Sequence, residues 1–232
     1  ITNLGIGIPA GIPSVAAEEG VADLLTLSVE SGVTGGIPAQ AGDFALAYNA
    51  QAIIEQTSQF DFYDGGGLDA SFLGLAQVDA HGNVNVSKFN GRPLGCGGFI
   101  HITRSTRKLV FCGTFTAGGL KIAIADGAVH IEQEGRSSKF IDKVEQITFN
   151  GSDAAQRQQE VLFITERAVF DLGVDGLELI EIAPGVDLER DILAHMAFRP
   201  IVKAPRLMDV AIFHPVWGGL AHALGTRTKP HK

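Results

Sequence analysis

Sulfur-containing residues are scarce in this chain. Its 232 residues include two cysteines, Cys96 and Cys112, and two methionines. Both cysteines lie in apolar or glycine-rich surroundings, without the spacing of a metal-binding motif. We therefore expect free thiols in a reducing cytosol, no disulfide and no metal centre.

Positive charge is also scarce. The chain has 18 Lys and Arg residues against 26 Asp and Glu, a net charge of −8 at pH 7. Nucleic-acid binding depends on cations that displace phosphate counterions, so no nucleic-acid partner is expected. The sequence also lacks a signal peptide and an apolar run long enough to cross a bilayer. It therefore predicts a cytoplasmic location and no membrane partner.

Apolar residues and glycine are abundant instead. Hydrophobic residues make up 45% of the chain, and the 29 glycines cluster at predicted turns without a regular period. This distribution excludes a fibrous or low-complexity protein. The pattern predicts an α/β fold: an open, mostly parallel sheet with helices on both faces, and a smaller antiparallel portion in the later half. We divide the chain into a main domain at 1–209 and a poorly packed or partner-ordered tail at 210–232.

The element predictions follow from apolar spacing and from turn residues. Helices are predicted at 15–19, with Ser14 as N-cap, and at 48–60. An amphipathic segment occupies 187–195. Besides the strand before Glu30, strands are predicted at 70–78, 84–89, 108–113, 122–124, 129–133, 147–149, 161–165, 168–171 and 176–182.

Glu30 is the most informative residue. It lies in L-L-T-L-S-V-E-S-G-V-T-G-G at 24–36, where the apolar, β-branched run 24–29 predicts a buried strand. Ligands of open α/β sheets bind beyond the carboxyl ends of the strands, and a carboxylate there can act as a covalent nucleophile. Gly32 and Gly35 would let such a ligand approach the backbone. The alternative is a solvated glutamate that caps a turn.

The same segment resembles the catalytic strand and turn of family I CoA-transferases, E-x-G-x-x-G, which Glu30, Gly32 and Gly35 match. The resemblance spans about 3–209. Its ordered motifs are N-L-G-I-G-I-P (3–9), V-E-S-G-V-T-G-G (29–36), G-G-G-L-D-A-S-F-L-G-L-A-Q-V-D-A-H-G-N-V-N (65–85), L-G-C-G-G-F-I (94–100), T-E-R-A-V-F (165–170) and L-I-E-I-A-P-G-V-D-L (179–188). The resemblance implies that this chain corresponds to the nucleophile-bearing half of the family. That half is a separate β subunit in some members and is fused behind an α half in others, so 1–209 would be a catalytic, β-like domain.

Three shorter segments are most similar to one branch of the family. They are S-Q-F-D-F-Y (58–63), K-F-N-G (88–91) and E-G-R-S-S-K-F-I (134–141). This branch acts on short-chain acyl-CoAs such as acetyl-, propionyl- or acetoacetyl-CoA. The resemblance therefore implies an acyl-CoA and a short-chain carboxylic acid as substrates, within acetate, ketone-body or short-chain fatty acid metabolism. CoA would be a substrate, no further cofactor is expected, and the enzyme would be a higher oligomer.

The chemistry that the resemblance implies is ping-pong covalent catalysis. Ionised Glu30 would attack the acyl-CoA thioester, and the CoA thiolate would then attack the resulting anhydride to give a glutamyl-CoA thioester. By resemblance, the backbone N–H of Gly98 is one oxyanion donor, and such donors are typically worth about 3–4 kcal/mol each. A simple tight turn at Gly97 and Gly98 is the alternative.

Further glycines are assigned to substrate binding. Gly97 joins Gly32 and Gly35 in this group. The loops 5–9 and 65–67 are expected to border the CoA and acyl channel, which adds Gly65 and Gly66. His101 stands where relatives usually carry an acid, a departure from the family pattern.

Other functions stay open on the sequence alone. The chain opens at Ile1 directly on a motif, and no residue matches the family's second oxyanion donor, a Gln of the α half. We therefore expect an α half as partner, either a separate subunit or a missing N-terminal part. The alternatives to transfer are acyl-CoA hydrolysis and a non-catalytic fragment or subunit that is inactive without this half. The glutamate motif argues against a sugar isomerase of the same fold class.

Overall fold

The computed structural model describes residues 1–39 and 46–225. Within them, the strands in chain order are β1 (Thr2–Leu4), β2 (Leu27–Val29), β3 (Val33–Thr34), β4 (Ile37–Pro38), β5 (Ala47–Tyr48), β6 (Ala52–Ile53), β7 (Ala70–Gly74), β8 (Gln77–Val78), β9 (Val84–Asn85), β10 (Lys88–Phe89), β11 (Arg92–Pro93), β12 (Lys108–Cys112), β13 (Thr116–Ala117), β14 (Lys121–Ala125), β15 (Ala128–Gln133), β16 (Ser137–Ser138), β17 (Glu160–Ile164), β18 (Ala168–Gly173), β19 (Gly176–Ile182) and β20 (Ile201–Leu207).

The helices are short. The α-helices are α1 (Ile12–Glu18), α2 (Gln56–Asp64), α3 (Phe99–Ser105), α4 (Gly151–Gln156) and α5 (Leu220–Ala223). Single helical turns lie at Ile8–Gly11, Ala22–Leu24, Leu188–Ile192, Leu193–His195 and Val210–Phe213. In the part of the chain that the structure describes, none of the helices has the length and hydropathy of a membrane span.

Ten strands form one sheet, in the order β20-β19-β18-β17-β12-β7-β1-β2-β3-β6. Consecutive members of the run β17-β12-β7-β1-β2 pair in parallel. Antiparallel pairs flank this run, with β3 and β6 beyond β2, and with β18 and β19 beyond β17. The outer strand β20 is parallel to β19, and the smaller sheets are two-stranded and antiparallel. The predicted α/β fold, with a mostly parallel sheet and a smaller antiparallel portion, is confirmed.

The strand β12 shows how completely the middle of the sheet is covered. Its successive residues Leu109, Val110 and Phe111 are all buried. Successive side chains of a strand point to opposite faces, so both faces of β12 are packed, as is typical of parallel sheets. On the neighbouring strand β17, Phe163 stacks on Phe111 with ring centroids 5.1 Å apart.

The predicted helix at 48–60 is wrong in its first part. The strands β5 and β6 occupy that part, and α2 then runs across Phe60, where the prediction ends the helix. Asn49 has a φ of 56°, a left-handed conformation that interrupts a helix. The strand β6 pairs with β3, so a tertiary partner overrides the local spacing of apolar residues.

The first helix also begins earlier than predicted. It starts at Ile12, directly after the turn Ile8–Gly11, so Ser14 lies inside α1 and is not its N-cap. Pro13 occupies the first helical turn, where its missing N–H leaves no hydrogen bond unmade.

Several predicted strands are shorter than expected. The strand at 24–29 is reduced to β2, the strand at 70–78 divides into β7 and β8, and the one at 84–89 divides into β9 and β10. The strand predicted at 147–149 is wrong, because only one isolated bridge, between Phe149 and Val84, forms there. The remaining predicted strands lie within two residues of the observed ones.

The C-terminal segment is anchored to the body at Phe213 and in the short helix α5, although most of its described residues up to 225 are exposed. Phe213 is buried, and Ala221 belongs to a small apolar cluster with Ala16 and Val21. The backbone N–H groups of Gly218 and Leu220 donate to the carboxylate of Glu19, at 2.8 and 3.1 Å. Residues 226–232, the end of the predicted tail, lie outside the described residues, and the division at 209 stays a prediction.

A fully buried arginine joins loops at the carboxyl ends of β12 and β17. Arg167 donates to Glu166 at 2.6 Å, to Glu134 at 2.8 Å and to the carbonyl of Asp191 at 2.9 Å. Its guanidinium lies 4.9 Å from the ring centroid of Phe115. The motif T-E-R-A-V-F therefore forms a buried ionic cluster.

We predict that Arg167→Ala destabilises the protein by about 3–5 kcal/mol, because it removes the buried guanidinium that pairs with the enclosed carboxylates of Glu134 and Glu166. Arg206→Ala is the matched control, since Arg206 pairs with Glu181 while its own side chain is 76% exposed. Arg206→Ala should lower the free energy of unfolding by no more than about 1 kcal/mol. Urea unfolding at neutral pH measures both free energies, and equal losses would contradict a special contribution of the buried cluster.

Candidate active site

Glu30 follows β2 directly, at the edge of the sheet where the parallel strands have their carboxyl ends. Its side chain is half-buried. It lines a cavity of about 280 Å³ together with Asn3, Gly74 and Cys96. Because β2 is an inner strand, the carboxylate has the position that the sequence predicts, in a cleft beyond a strand end.

Gly98 brings a backbone donor to this carboxylate. It is the N-cap of α3, and its N–H donates a hydrogen bond to the Glu30 side chain. A Cβ atom at Gly98 would lie 2.3 Å from Glu30 Oε2 and 2.8 Å from Phe60 Cζ. Its φ of −77° is open to any residue, so the lack of space, rather than backbone strain, requires glycine here.

Two opposing effects act on the ionisation of Glu30. Burial raises the pKa of the carboxyl group above its usual value, and the hydrogen bond from Gly98 lowers it. The site therefore removes water from the carboxylate and supplies one fixed N–H donor in its place.

A buried polar network lies beside the nucleophile strand. Ser28 precedes Glu30 by two residues and so points to the same face of the sheet. Its hydroxyl lies 2.6 Å from the Tyr63 hydroxyl and accepts from the Gln59 amide at 2.9 Å. Asn3 of β1 donates to the Ser28 carbonyl at 3.1 Å. All four partners of this network are buried, so the end of β2 is held by hydrogen bonds on its α2 side.

Gly97 is the other predicted glycine that lines the cavity, next to Gly98. The loop from Gly5 also reaches the cavity, through Gly5 and Ile6. A Cβ atom at Gly5 would lie 3.0 Å from Leu73 Cδ2, so this residue packs closely against the neighbouring strand β7.

Gly32 and Gly35 are not among the residues that line this cavity. They have φ values of 109° and 76°, and a Cβ atom at Gly32 would lie 2.0 Å from the carbonyl oxygen of Ile54. At Gly35 it would lie 2.6 Å from Gln51. Both glycines thus permit the tight return from β2 into β3 and the close approach of the β6 segment.

Gly65 and Gly66 end helix α2 and are likewise not among the cavity-lining residues. Gly65 is the C-cap residue, and Gly66 has a φ of 84°. They form the turn between α2 and β7, and their role in substrate binding stays a prediction.

The sequence interpretation missed the supporting side chains of α2. Tyr63 lies one helical turn after the adjacent residues Gln59 and Phe60, and all three belong to the motif S-Q-F-D-F-Y. Their spacing of four and three residues was the available signal, but the predicted helix ends at Phe60 and separates Tyr63 from the other two. The alternation of Ser28 with Glu30 was the second available signal.

The cysteines are both free. Cys96 lines the cavity, and burial raises the pKa of the Cys112 thiol to about 11. Within residues 1–39 and 46–225, no three His, Cys, Asp or Glu side chains are grouped so as to hold a metal ion.

Comparison with known proteins gives a consistent set of relatives. No family model matches the sequence. The chain is 54% identical over 214 residues to the acetate CoA-transferase YdiF of Escherichia coli O157:H7, which covers 92% of this chain and 40% of that protein. It is 47% identical over 231 residues to the caffeate CoA-transferase of Acetobacterium woodii, covering 97% of this chain and 44% of that protein.

The fold is similar as well. The crystal structure of the Escherichia coli O157:H7 acyl-CoA transferase YdiF, in a thioester complex with CoA, matches with a TM-score of 0.87 and 52% identity. The match covers 94% of this chain and 42% of that one, so the chain spans less than half the length of these relatives. In sequence and in fold, the chain belongs to the family I CoA-transferases and corresponds to their β-subunit-like half.

Proposed function

We propose that this chain supplies the nucleophile for transfer of CoA from a short-chain acyl-CoA to a carboxylic acid. The observation that carries the proposal is the pairing of Glu30 with the Gly98 N–H in a cleft at the carboxyl edge of the sheet. The names of the relatives, acetate and caffeate CoA-transferase, support the same reaction.

The proposed reaction proceeds through two covalent states of Glu30. A Glu30 oxygen attacks the thioester carbonyl carbon, the C–S bond breaks, and an acyl-glutamyl anhydride and a CoA thiolate result. The thiolate then attacks the glutamyl carbonyl carbon and releases the first acid as its carboxylate. The second acid attacks the glutamyl-CoA thioester, and the released thiolate completes transfer by attacking the new acyl carbonyl. No net proton is gained or lost.

Gly98 has two roles in this proposal. In the free enzyme, its N–H binds the Glu30 carboxylate. When the glutamyl carbonyl is attacked, negative charge develops on an oxygen of the same group, and a donor already aimed at it stabilises that charge without reorganisation. The bulk of an anhydride or a thioester at Glu30 fits only because Gly98 has no side chain.

We also infer that catalysis requires an α half, either as a separate subunit or within the same polypeptide. Gly98 supplies one donor, and the family's second donor is a Gln of that half, which no residue here matches. The relatives, which are more than twice as long as the matched region, support this inference.

Glu30→Gln should fold normally and abolish transfer, because an amide does not form the anhydride. Glu30→Asp should be nearly as inactive, since a missing methylene displaces the carboxylate by about 1 Å, and misplacement of this size can cost on the order of a hundredfold. Incubation of the wild-type enzyme with acyl-CoA should yield a CoA adduct, which borohydride converts to an alcohol at Glu30. Peptide mass mapping locates the change, and modification at another residue would reject Glu30 as the nucleophile.

Gly98→Ala should lower kcat by on the order of a hundredfold, because its methyl group displaces the Glu30 carboxylate from the N–H donor. Gly11→Ala is the matched control, because Gly11 has a φ of −78° and open space around its Cβ position. It should retain wild-type turnover. Steady-state kinetics with both variants checks this, and an active Gly98→Ala enzyme would show that the close approach is dispensable.

Transfer should also depend on the acceptor acid and on the α half. With both halves present, labelled acetate should accept CoA from the donor, and CoA should not be lost to water. The 232-residue chain alone, at high dilution, should transfer none. Loss of CoA to water at the same rate with and without acceptor would favour the hydrolase, and full transfer by the isolated chain would contradict the need for an α half.

A further inference from the structure

Helix α2 contacts both segments that meet at the candidate active site. On the β2 side, Tyr63 and Gln59 hydrogen-bond to the Ser28 hydroxyl, two residues before Glu30. Tyr63 and Gln59 are buried. The carboxylate-bearing strand end is therefore tied to α2.

On the α3 side, α2 presents a ring and a carboxylate. Phe60 lies against Gly98, since a Cβ atom there would come within 2.8 Å of its ring. The Phe60 ring also packs on the His101 ring, with centroids 5.1 Å apart. Asp64, the last residue of α2, accepts a hydrogen bond from His101 Nδ1 at 2.9 Å.

The position of His101 on α3 links its hydrogen bond with Asp64 to the Gly98 N–H, which is the donor to Glu30. His101 lies three residues after Gly98, and therefore on the same side of α3, one turn along. A displacement of His101 from Asp64 would shift the first turn of α3, and the Gly98 N–H with it, relative to Glu30.

We infer that Asp64 and His101 form a positioning pair that sets the distance between the Gly98 N–H and the Glu30 carboxylate. This inference rests on the proposed function for its kinetic consequence, but its geometric consequence is independent of turnover. His101 is not among the residues that line the cavity, so in this inference it acts through α3.

The hydrogen bond between His101 and Asp64 is expected to add little to the stability of the fold. The His101 and Asp64 side chains are 52% and 45% exposed, and exposed pairs contribute little to the free energy of unfolding. A pair of this kind can still help to select one docking position of two short helices, beside the packing of the Phe60 ring on His101.

The test uses four variants of the full-length enzyme that carries this chain. His101→Phe keeps a ring against Phe60 and removes the hydrogen bond, as Asp64→Ala does from the other side. His101→Asn restores a donor close to the position of imidazole Nδ1. His81→Phe is the matched control, because His81 is an exposed imidazole in the turn before β9.

His101→Phe and Asp64→Ala should each lower kcat by between about tenfold and a hundredfold, the range expected for misplacement of a catalytic group. KM for acyl-CoA should change little, because the lost interaction is expressed in the transition state. His101→Asn should recover most of the wild-type kcat, and His81→Phe should retain it. A double variant that combines His101→Phe with Asp64→Ala should lose no more kcat than either single variant, because both changes break the same interaction.

The pH profile supplies a second readout. Glu30 must be ionised to attack, so kcat/KM falls as the pH drops through its pKa. Loss of the Gly98 hydrogen bond raises that pKa, so the acid limb should move to higher pH in His101→Phe. Among the described residues, Tyr63 of α2 interacts electrostatically with Glu30, and Cys96 of the loop before α3 lines the same cavity. Neither is changed in these variants.

Independently of activity, hydrogen exchange of the Gly98 amide reports whether its N–H remains bonded to the Glu30 carboxylate. It should be faster in His101→Phe and Asp64→Ala than in the wild-type protein, His101→Asn and His81→Phe. Unchanged exchange, or additive losses in the double variant, would overturn the positioning pair. If Glu30→Gln is inactive while His101→Phe transfers CoA normally, the proposed function stands and this inference fails. If the wild-type enzyme transfers no CoA, the exchange rates still decide the inference.

Discussion

The contact between the Gly98 N–H and the Glu30 carboxylate is the constraint on which the candidate site depends. The backbone of α3 approaches so closely that a Cβ atom would lie 2.3 Å from Glu30 Oε2. This approach compensates in part for the burial that raises the Glu30 pKa. A carboxylate in this environment has lost some of its water, and it has a fixed donor where the charge of a tetrahedral state would develop.

The rest of the structure keeps these two groups together although they lie far apart in the chain. The parallel run of β17, β12, β7, β1 and β2 brings strand ends to one edge. Helix α2 then links the end of β2, through Tyr63 and Ser28, to the start of α3, through Phe60. Buried side chains thus fix one side of the site, and the partly exposed pair Asp64 and His101 lies on the other.

Several features of the fold and of the candidate site follow from the sequence alone. The apolar run at β12 predicts a covered parallel strand because its successive side chains have no polar face. The carboxylate of Glu30 directly after a short apolar run predicts a functional group at a strand end. These inferences hold because they depend on the spacing of apolar and polar residues, which is a local property.

Only the tertiary structure decided which groups meet. The segment 48–60 has helical spacing, yet β6 pairs with β3, since a hydrogen-bonded neighbour outweighs a weak local preference. Gly32, Gly35, Gly65 and Gly66 look like ligand-binding glycines in the sequence. The fold places them in turns and, at Gly32 and Gly35, in close packing, and their role in substrate binding stays a prediction. The sequence by itself determined the nucleophile candidate and its strand. The partners of Glu30, namely Gly98 and the α2 side chains, are set by contacts across tens of residues, which no local pattern specifies.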